Sequence, residues 1–369
     1  MCNKPQRSMQ TLHQMPVPGQ PVNITTLENF FPGYFALVMA TGIVSIGLQL
    51  WGYHVPAISL LAANVCFFII LLLILFLRIY RYPQIVWSDL HHPARGVTFL
   101  TLVAGTNILG SQLVIILNRA DWALYVWITG FVLWALLLYT FFLFNILKEP
   151  KPVFEQSISG AWLLIVVSTE SVAVLGALIA VHSSYIAFIA LCTYMIGGML
   201  YLVLIGLIFY RWLFISMKAE LLTPPYWINM GAVAITALAG SRLVMFGRSH
   251  PGLEHWTYFV ETFTLFFWAF ASWWVPLLFL LFFYRHFIAR VPLQYDPQYW
   301  SMVFPLGMYG VCTFNYAKIT GFAFLLPVSH LFVFIGAVTW IIVGIGLIIE
   351  LVKRVKVNNS AQQVFRNNV

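Results

Sequence analysis

Long apolar runs alternate with short polar stretches from about residue 30 to residue 351. Each run is close to or above the ~20 residues that a helix needs to cross the hydrocarbon core of a bilayer. The pattern predicts ten such helices, over 31–51, 57–80, 96–117, 122–146, 157–180, 184–210, 225–241, 256–284, 299–317 and 323–350. Residues 1–29 are polar and rich in Pro and Gln, with no apolar h-region and no small-residue cleavage site, so they read as a tail and not as a signal peptide. The expected organisation is this tail, a ten-helix membrane domain over 30–351, and a second tail over 352–369.

The odd-numbered runs begin alike. "PGYF" (32–35), "RGVT" (95–98), "SGAW" (159–162), "PPYW" (224–227) and "PQYW" (297–300) each place small or helix-starting residues at one end. Their third positions recur every 63 to 73 residues, which marks a two-helix unit repeated five times. Eight residues further on stand Gly42, Gly105, Thr169, Ala234 and Gly307, all small. The odd runs hold 12 glycines against 7 in the longer even runs, which are blocks such as "FFIILLLILFL" (67–77) suited to lipid. The expected fold is therefore an all-α membrane protein of five helical hairpins around a central pore, odd helices inside and even helices outside. The five small residues either line that pore or let ten helices pack closely.

Composition excludes a soluble globule: 61% of residues are hydrophobic, 8% are charged and the mean hydropathy is +0.89. The net charge of +8 is chiefly a topology signal, because fifteen basic residues flank one side of the predicted spans and only Arg119, Arg242, Arg248 and Lys318 the other. That asymmetry places both termini in the cytoplasm and gives no support to nucleic-acid binding. The four cysteines are scattered, and the His91–His92 pair has no HExxH or multi-histidine partner, so neither a disulfide nor a metal site is expected. No cluster of nucleophile, base or metal ligands suggests an enzyme, and no cofactor is expected.

The ninth run carries "YWSMVFPLGMYG" (299–310), with Phe304 directly before Pro305 and two glycines behind. Proline removes a backbone donor and glycine weakens a helix, so a bend is expected here. Phe304 is then either a core residue beside a kink or a plug in the lumen. With "FFPGYFALVMATGIVSI" (30–46), "SGAWLLIVVSTESVAVLGA" (159–177) and "LTPPYWINMGAVAITALAG" (222–240), this segment resembles the tellurite-resistance/dicarboxylate transporter family. That family includes fungal malate permeases, sulfite efflux pumps and the slow-type anion channels of plant guard cells. The resemblance implies five hairpins around a pore, a homotrimer, a bacterial inner membrane, and a pore gate formed by Phe304 on a helix kinked at Pro305. It also implies transport of a small anion, with C4-dicarboxylates such as malate taken from the family label. The residues themselves do not choose among malate, sulfite, tellurite, chloride and nitrate.

A lining of small residues and hydroxyls with no acidic ring suits anions. Glu170 is the exception, an ionisable residue in the middle of the fifth run and a candidate proton or substrate site, since a neutral acid would not repel an anion. Its alternative is a structural carboxyl facing a neighbouring helix. Glu261 is within reach of Arg242, Arg248 and Lys318 and is expected in a salt bridge. Arg242 is a candidate for drawing anions to the outer mouth, with an effect strongest at low ionic strength.

Overall fold

The computed structural model describes residues 27–180, 183–250 and 254–367. Residues 1–26 of the expected N-terminal tail, with Cys2, lie outside the described residues. All regular structure described is helical. Ten long helices follow one another: α1 (Ala36–Leu50), α2 (His54–Arg81), α3 (Leu100–Leu117), α4 (Ala120–Leu147), α5 (Leu164–Ile179), α6 (Ser184–Phe214), α7 (Ile228–Arg248), α8 (Glu254–Phe283), α9 (Trp300–Thr320) and α10 (Leu326–Asn367).

Local chemistry sets these ends. Tight 3-10 turns beginning at Pro32, Pro224 and Pro297 lead into α1, α7 and α9, using proline where the backbone N–H would have no partner. The left-handed Asn118 (φ 52°) and Gly321 (φ 75°) terminate α3 and α9. Two helices run well past the ends that the sequence predicts. The seventh run was expected to stop at 241, before Arg242, yet α7 continues to Arg248, because a guanidinium that reaches a cavity and a helix end need not break the helix. Likewise α10 runs on through the expected second tail to Asn367.

Among the described residues, nine helices are long and apolar enough to cross a membrane, which makes this an integral membrane protein. The remaining long helix, α9, has 21 residues but is diluted by Gly, Asn, Thr, Lys and Tyr. Burial separates the helices into two classes. Between 67% and 83% of the spanning windows of α1, α3, α5 and α7 are buried, against 22–44% in α2, α4, α6, α8 and α10. Most of α9 is buried too. Each of these five buried helices packs against the next, α1 on α3, α3 on α5, α5 on α7, α7 on α9, and α9 returns to α1. Each also packs against the exposed helix that follows it in the chain.

One feature of these pairs repeats at the end where the basic residues gather. In at least four of the five, a cation from the end of the exposed helix donates to a main-chain carbonyl just ahead of its buried partner. Arg78 reaches Glu28 (2.9 and 3.2 Å), Lys148 reaches His91 (3.3 Å), Arg211 reaches Ile158, and Arg285 reaches Leu222. These carbonyls precede Pro32, Pro93, Gly160 and Pro224, the residues that open the buried helices' first turns. A charge-assisted bond to a carbonyl that would otherwise lack a donor is the stronger kind of hydrogen bond. Arg78 is fully buried and also meets Asp89 at 2.6 Å, which Arg95 contacts from its other oxygen at 2.9 Å.

Candidate anion pathway

The middle and later turns of the five buried helices enclose a cavity of about 20 Å³. It is lined by Ile43 and Ile46 of α1, Ile108, Ser111 and Ile115 of α3, Ser171, Val174 and Leu178 of α5, Ile235, Leu238 and Arg242 of α7, and Met308 and Val311 of α9. A volume of this size has room for about one water. The residues recur at i, i+3 or i+4, and i+7, so each helix gives one face to the cavity.

The polar lining is sparse. The Ser111 hydroxyl donates to the Asn107 carbonyl at 2.9 Å. The Ser171 hydroxyl donates to Ser168 at 2.6 Å and accepts from Asn107 Nδ2 at 3.1 Å. Both hydroxyl protons are therefore committed. Arg242 is different: its Nε is out of solvent without a hydrogen-bond partner, and among the described residues it forms no ion pair. Glu261, the nearby acid expected to meet one of three cations, is held by Arg248 at 2.8 Å. Arg242 is thus the lining group with N–H donors to spare.

Phe304 is buried, 1% exposed, and lies one turn before Met308 and two before Val311 on α9. The i, i+4, i+7 spacing puts its ring on the face that lines the cavity, one turn nearer the basic end. α9 stays helical through Pro305, whose ring sits so close to α7 that a Cβ on Gly231 would stand 2.7 Å from Pro305 Cγ. Proline still leaves the Ser301 carbonyl without its helical donor.

The five small positions are at the same helices but not in the lining of this cavity. A Cβ on Gly42 would come within 2.3 Å of Ile108 and 3.0 Å of Asn64, and one on Gly307 within 3.1 Å of Ile43. Gly105 faces Val38 of α1, Thr169 accepts from Trp134 Nε1 at 2.9 Å, and Ala234 is fully buried. Glu170 is fully buried away from the lining: a Cβ on Gly197 of α6 would stand 2.3 Å from its Oε1. Among the described residues its oxygens have no hydrogen-bond partner, and the hydroxyl of Thr236 beside it donates to Ala232 at 2.8 Å. The lining stripe of Ile108, Ser111, Ile235 and Leu238 was missed in the sequence because ordinary apolar side chains at helical spacing look like any core face.

Residues 29–348 match the family described as voltage-dependent anion channel. An uncharacterized transporter of Methanocaldococcus jannaschii is 25% identical over 298 residues, covering 77% of this chain and 82% of that protein. A sulfite efflux pump of Trichophyton rubrum is 25% identical over 349 residues, covering 86% of this chain and 89% of the pump. An uncharacterized membrane protein of Mycobacterium tuberculosis is 41% identical over 112 residues, 30% of this chain and 56% of that protein. This chain belongs to the voltage-dependent anion channel family, whose members are membrane transporters or channels for anions and not enzymes.

Proposed function

We propose that small inorganic anions of the size of sulfite cross the membrane along the axis enclosed by α1, α3, α5, α7 and α9, and that Arg242 receives them. In this reading the five helix pairs are hairpins around a pore. Both termini face the cytoplasm, and the protein sits in a bacterial inner membrane as a homotrimer. The observation that carries the reading is a guanidinium with unused donors facing a cavity to which all five buried helices contribute. A cation facing a cavity of low dielectric raises the local concentration of anions. The rest of the lining has no acidic side chain to repel them.

Phe304 then closes the route one turn beyond the cavity. An apolar constriction blocks ions both by its bulk and by excluding water, so passage needs the ring to move. Pro305 supplies a weak point beside that ring, since the helix there lacks one hydrogen bond. The five small positions act beside the route by letting the helices approach, and Glu170 lies between helices outside it.

Sulfite is favoured over malate on two grounds. A C4-dicarboxylate holds its two charges on separate carboxylates and is matched best by two cationic sites, whereas the charge of sulfite sits on a single centre that one guanidinium can meet, and Arg242 is the only cation among the cavity's lining residues. Sulfite efflux is also the named activity of fungal relatives that span most of the chain.

Purified protein in liposomes, given a membrane potential without a pH gradient, should move labelled sulfite above the protein-free control and leave malate near it. Phe304→Ala should raise the sulfite rate about tenfold or more, as removal of a steric plug requires. Malate flux equal to that of sulfite would overturn the substrate assignment, and an unchanged rate in Phe304→Ala would overturn the gate. Glu170→Gln should leave the pH dependence of flux unaltered; a changed profile would put a proton site back on the route.

A further inference from the structure

Apart from the central cavity, a lateral groove of about 600 Å³ opens between α2 and α4 over the outward face of α3. Leu72 and Phe76 of α2 form one wall, Val126 and Leu133 of α4 the other, and Leu102 and Leu109 of α3 the floor. One end is shut by the short helix Pro83–Leu90, where the rings of Trp87 and His91 pack on Phe144 with centroids 5.1 and 3.5 Å apart. Both walls belong to helices long and apolar enough to cross a membrane, so the groove opens sideways onto hydrocarbon.

Two of the three polar side chains in the lining are already engaged, and the third, Tyr125, lies near the start of α4 and is 72% exposed. The hydroxyls of Thr106 and Thr129 donate to Leu102 and Tyr125 of their own helices at 2.8 and 2.9 Å. Water in such a space would forfeit hydrogen bonds, and an empty space would forfeit dispersion contacts along its whole lining. An extended peptide segment would bring backbone N–H and C=O groups that nothing here can satisfy, and a helix of a second copy is the occupant that a cross-link between copies would detect. A hydrocarbon chain has neither defect. The stretch of α2 along the groove, residues 68–79, rises ~17 Å at helical pitch. That is about half of the ~30 Å hydrocarbon core and therefore about the reach of a chain from one leaflet.

We infer that this groove seats one acyl chain of a bilayer phospholipid. The floor gives the seat a consequence for transport. α3 presents Leu102 and Leu109 to the groove and Ile108, Ser111 and Ile115 to the central cavity, so one helix separates the seated chain from the anion route. A bound chain buttresses that helix from behind. The assignment of the groove stands without the proposed substrate, since it rests on lining chemistry alone.

The test uses the full chain reconstituted with phosphatidylethanolamine bearing a diazirine near the end of one acyl chain. After photolysis, label should appear on the segment 102–109 of α3, whose Leu102 and Leu109 line the groove and are only 8% exposed. Leu133→Trp fills the groove and should lower α3 labelling at least fivefold, while labelling of Phe259 and Phe266 on the open face of α8 stays constant. Val126→Trp fills it from a second position and serves if the first variant folds poorly. Absence of label on α3 in the unaltered protein, or α3 labelling indifferent to both fillings, would overturn the inference. So would a disulfide between copies formed through Val126→Cys, which would put a second protein molecule over the groove.

Discussion

Arg211 and Arg242 are both arginines on long membrane helices, yet they meet opposite fates. Arg211 stands at the basic end of α6, is 8% exposed, and donates to the Ile158 carbonyl ahead of α5. Arg242 stands near the other end of α7 and faces a cavity; Arg211 also keeps a buried Nε without a partner, but among the described residues the Arg242 side chain makes no hydrogen bond or ion pair at all. The basic end as a whole repeats the first pattern, with Arg78, Lys148 and Arg285 each committed to a carbonyl of their own helix pair. A buried cation that has found its acceptor is architecture. One that has not is free to meet water or a ligand, and without either it persists at a cost.

The largest effect expected from this contrast is on stability at the basic end. Arg78→Ala removes two bonds to Glu28 and one partner of buried Asp89, leaving Arg95 to hold that carboxylate alone. Breaking a buried ion pair from one side costs about 3–5 kcal/mol, and the remaining Arg95 contact keeps the loss near ~3 kcal/mol. Thermal unfolding in detergent should register it as a lower Tm. An unchanged Tm would mean that these clasps carry little weight and that the contrast is one of position only.

Arg242→Gln should do the reverse. Removing a cation that has no partner cannot break a pair, so the Tm should hold or rise. Sulfite flux should fall about 10- to 100-fold, corresponding to the ~1.5–3 kcal/mol of a hydrogen bond to a charged group. Salt sharpens the result. A cation acting only as a lure at the mouth loses its effect as ionic strength rises, whereas a contact inside the cavity is screened far less. The fall in flux should therefore persist at high salt, and its disappearance there would return Arg242 to the role of a mouth attractor.

How far this was readable in the sequence depended on whether the signal was periodic. Helix number, the alternation of inner and outer character, and the close approach at Gly42 and Gly307 all follow from residue size and hydropathy repeated along the chain. The clasps repeat just as regularly, but Arg78, Lys148, Arg211 and Arg285 look in the sequence like ordinary positive charge beside a span. Their partners are carbonyls, which no residue letter records. Arg242 lies one residue past the seventh apolar run, where the sequence predicts a helix end, and only the packing of five helices brings it to a shared cavity. Glu170 stood out by its letter, while the glycine that makes room for it, Gly197, lies on another helix.

The smallest expected effect concerns pH, and it also divides the two ends. His92 caps the short helix Pro93–Gly96 by accepting from the Ala94 N–H at 3.2 Å, which requires an unprotonated ring nitrogen. Burial first, then the charges of Lys148 and Arg95, hold its pKa below the ordinary 6.5, with Asp89 opposing. The folded protein therefore favours neutral His92, and the unfolded chain binds the extra proton more readily. Stability from this residue is present above about pH 6.5 and is lost as the pH falls through the lower folded value. Protonation there adds a cation beside Lys148, so it should loosen the clasp on His91 before it affects the cavity. Hydrogen exchange over residues 82–96, once corrected for the intrinsic pH dependence of amide exchange, should rise between pH 7.5 and pH 5, while corrected exchange in α7 around Arg242 stays level. His92→Gln should flatten the first response, because glutamine keeps an acceptor and takes up no proton; an equal rise in the variant would assign the loosening to another group.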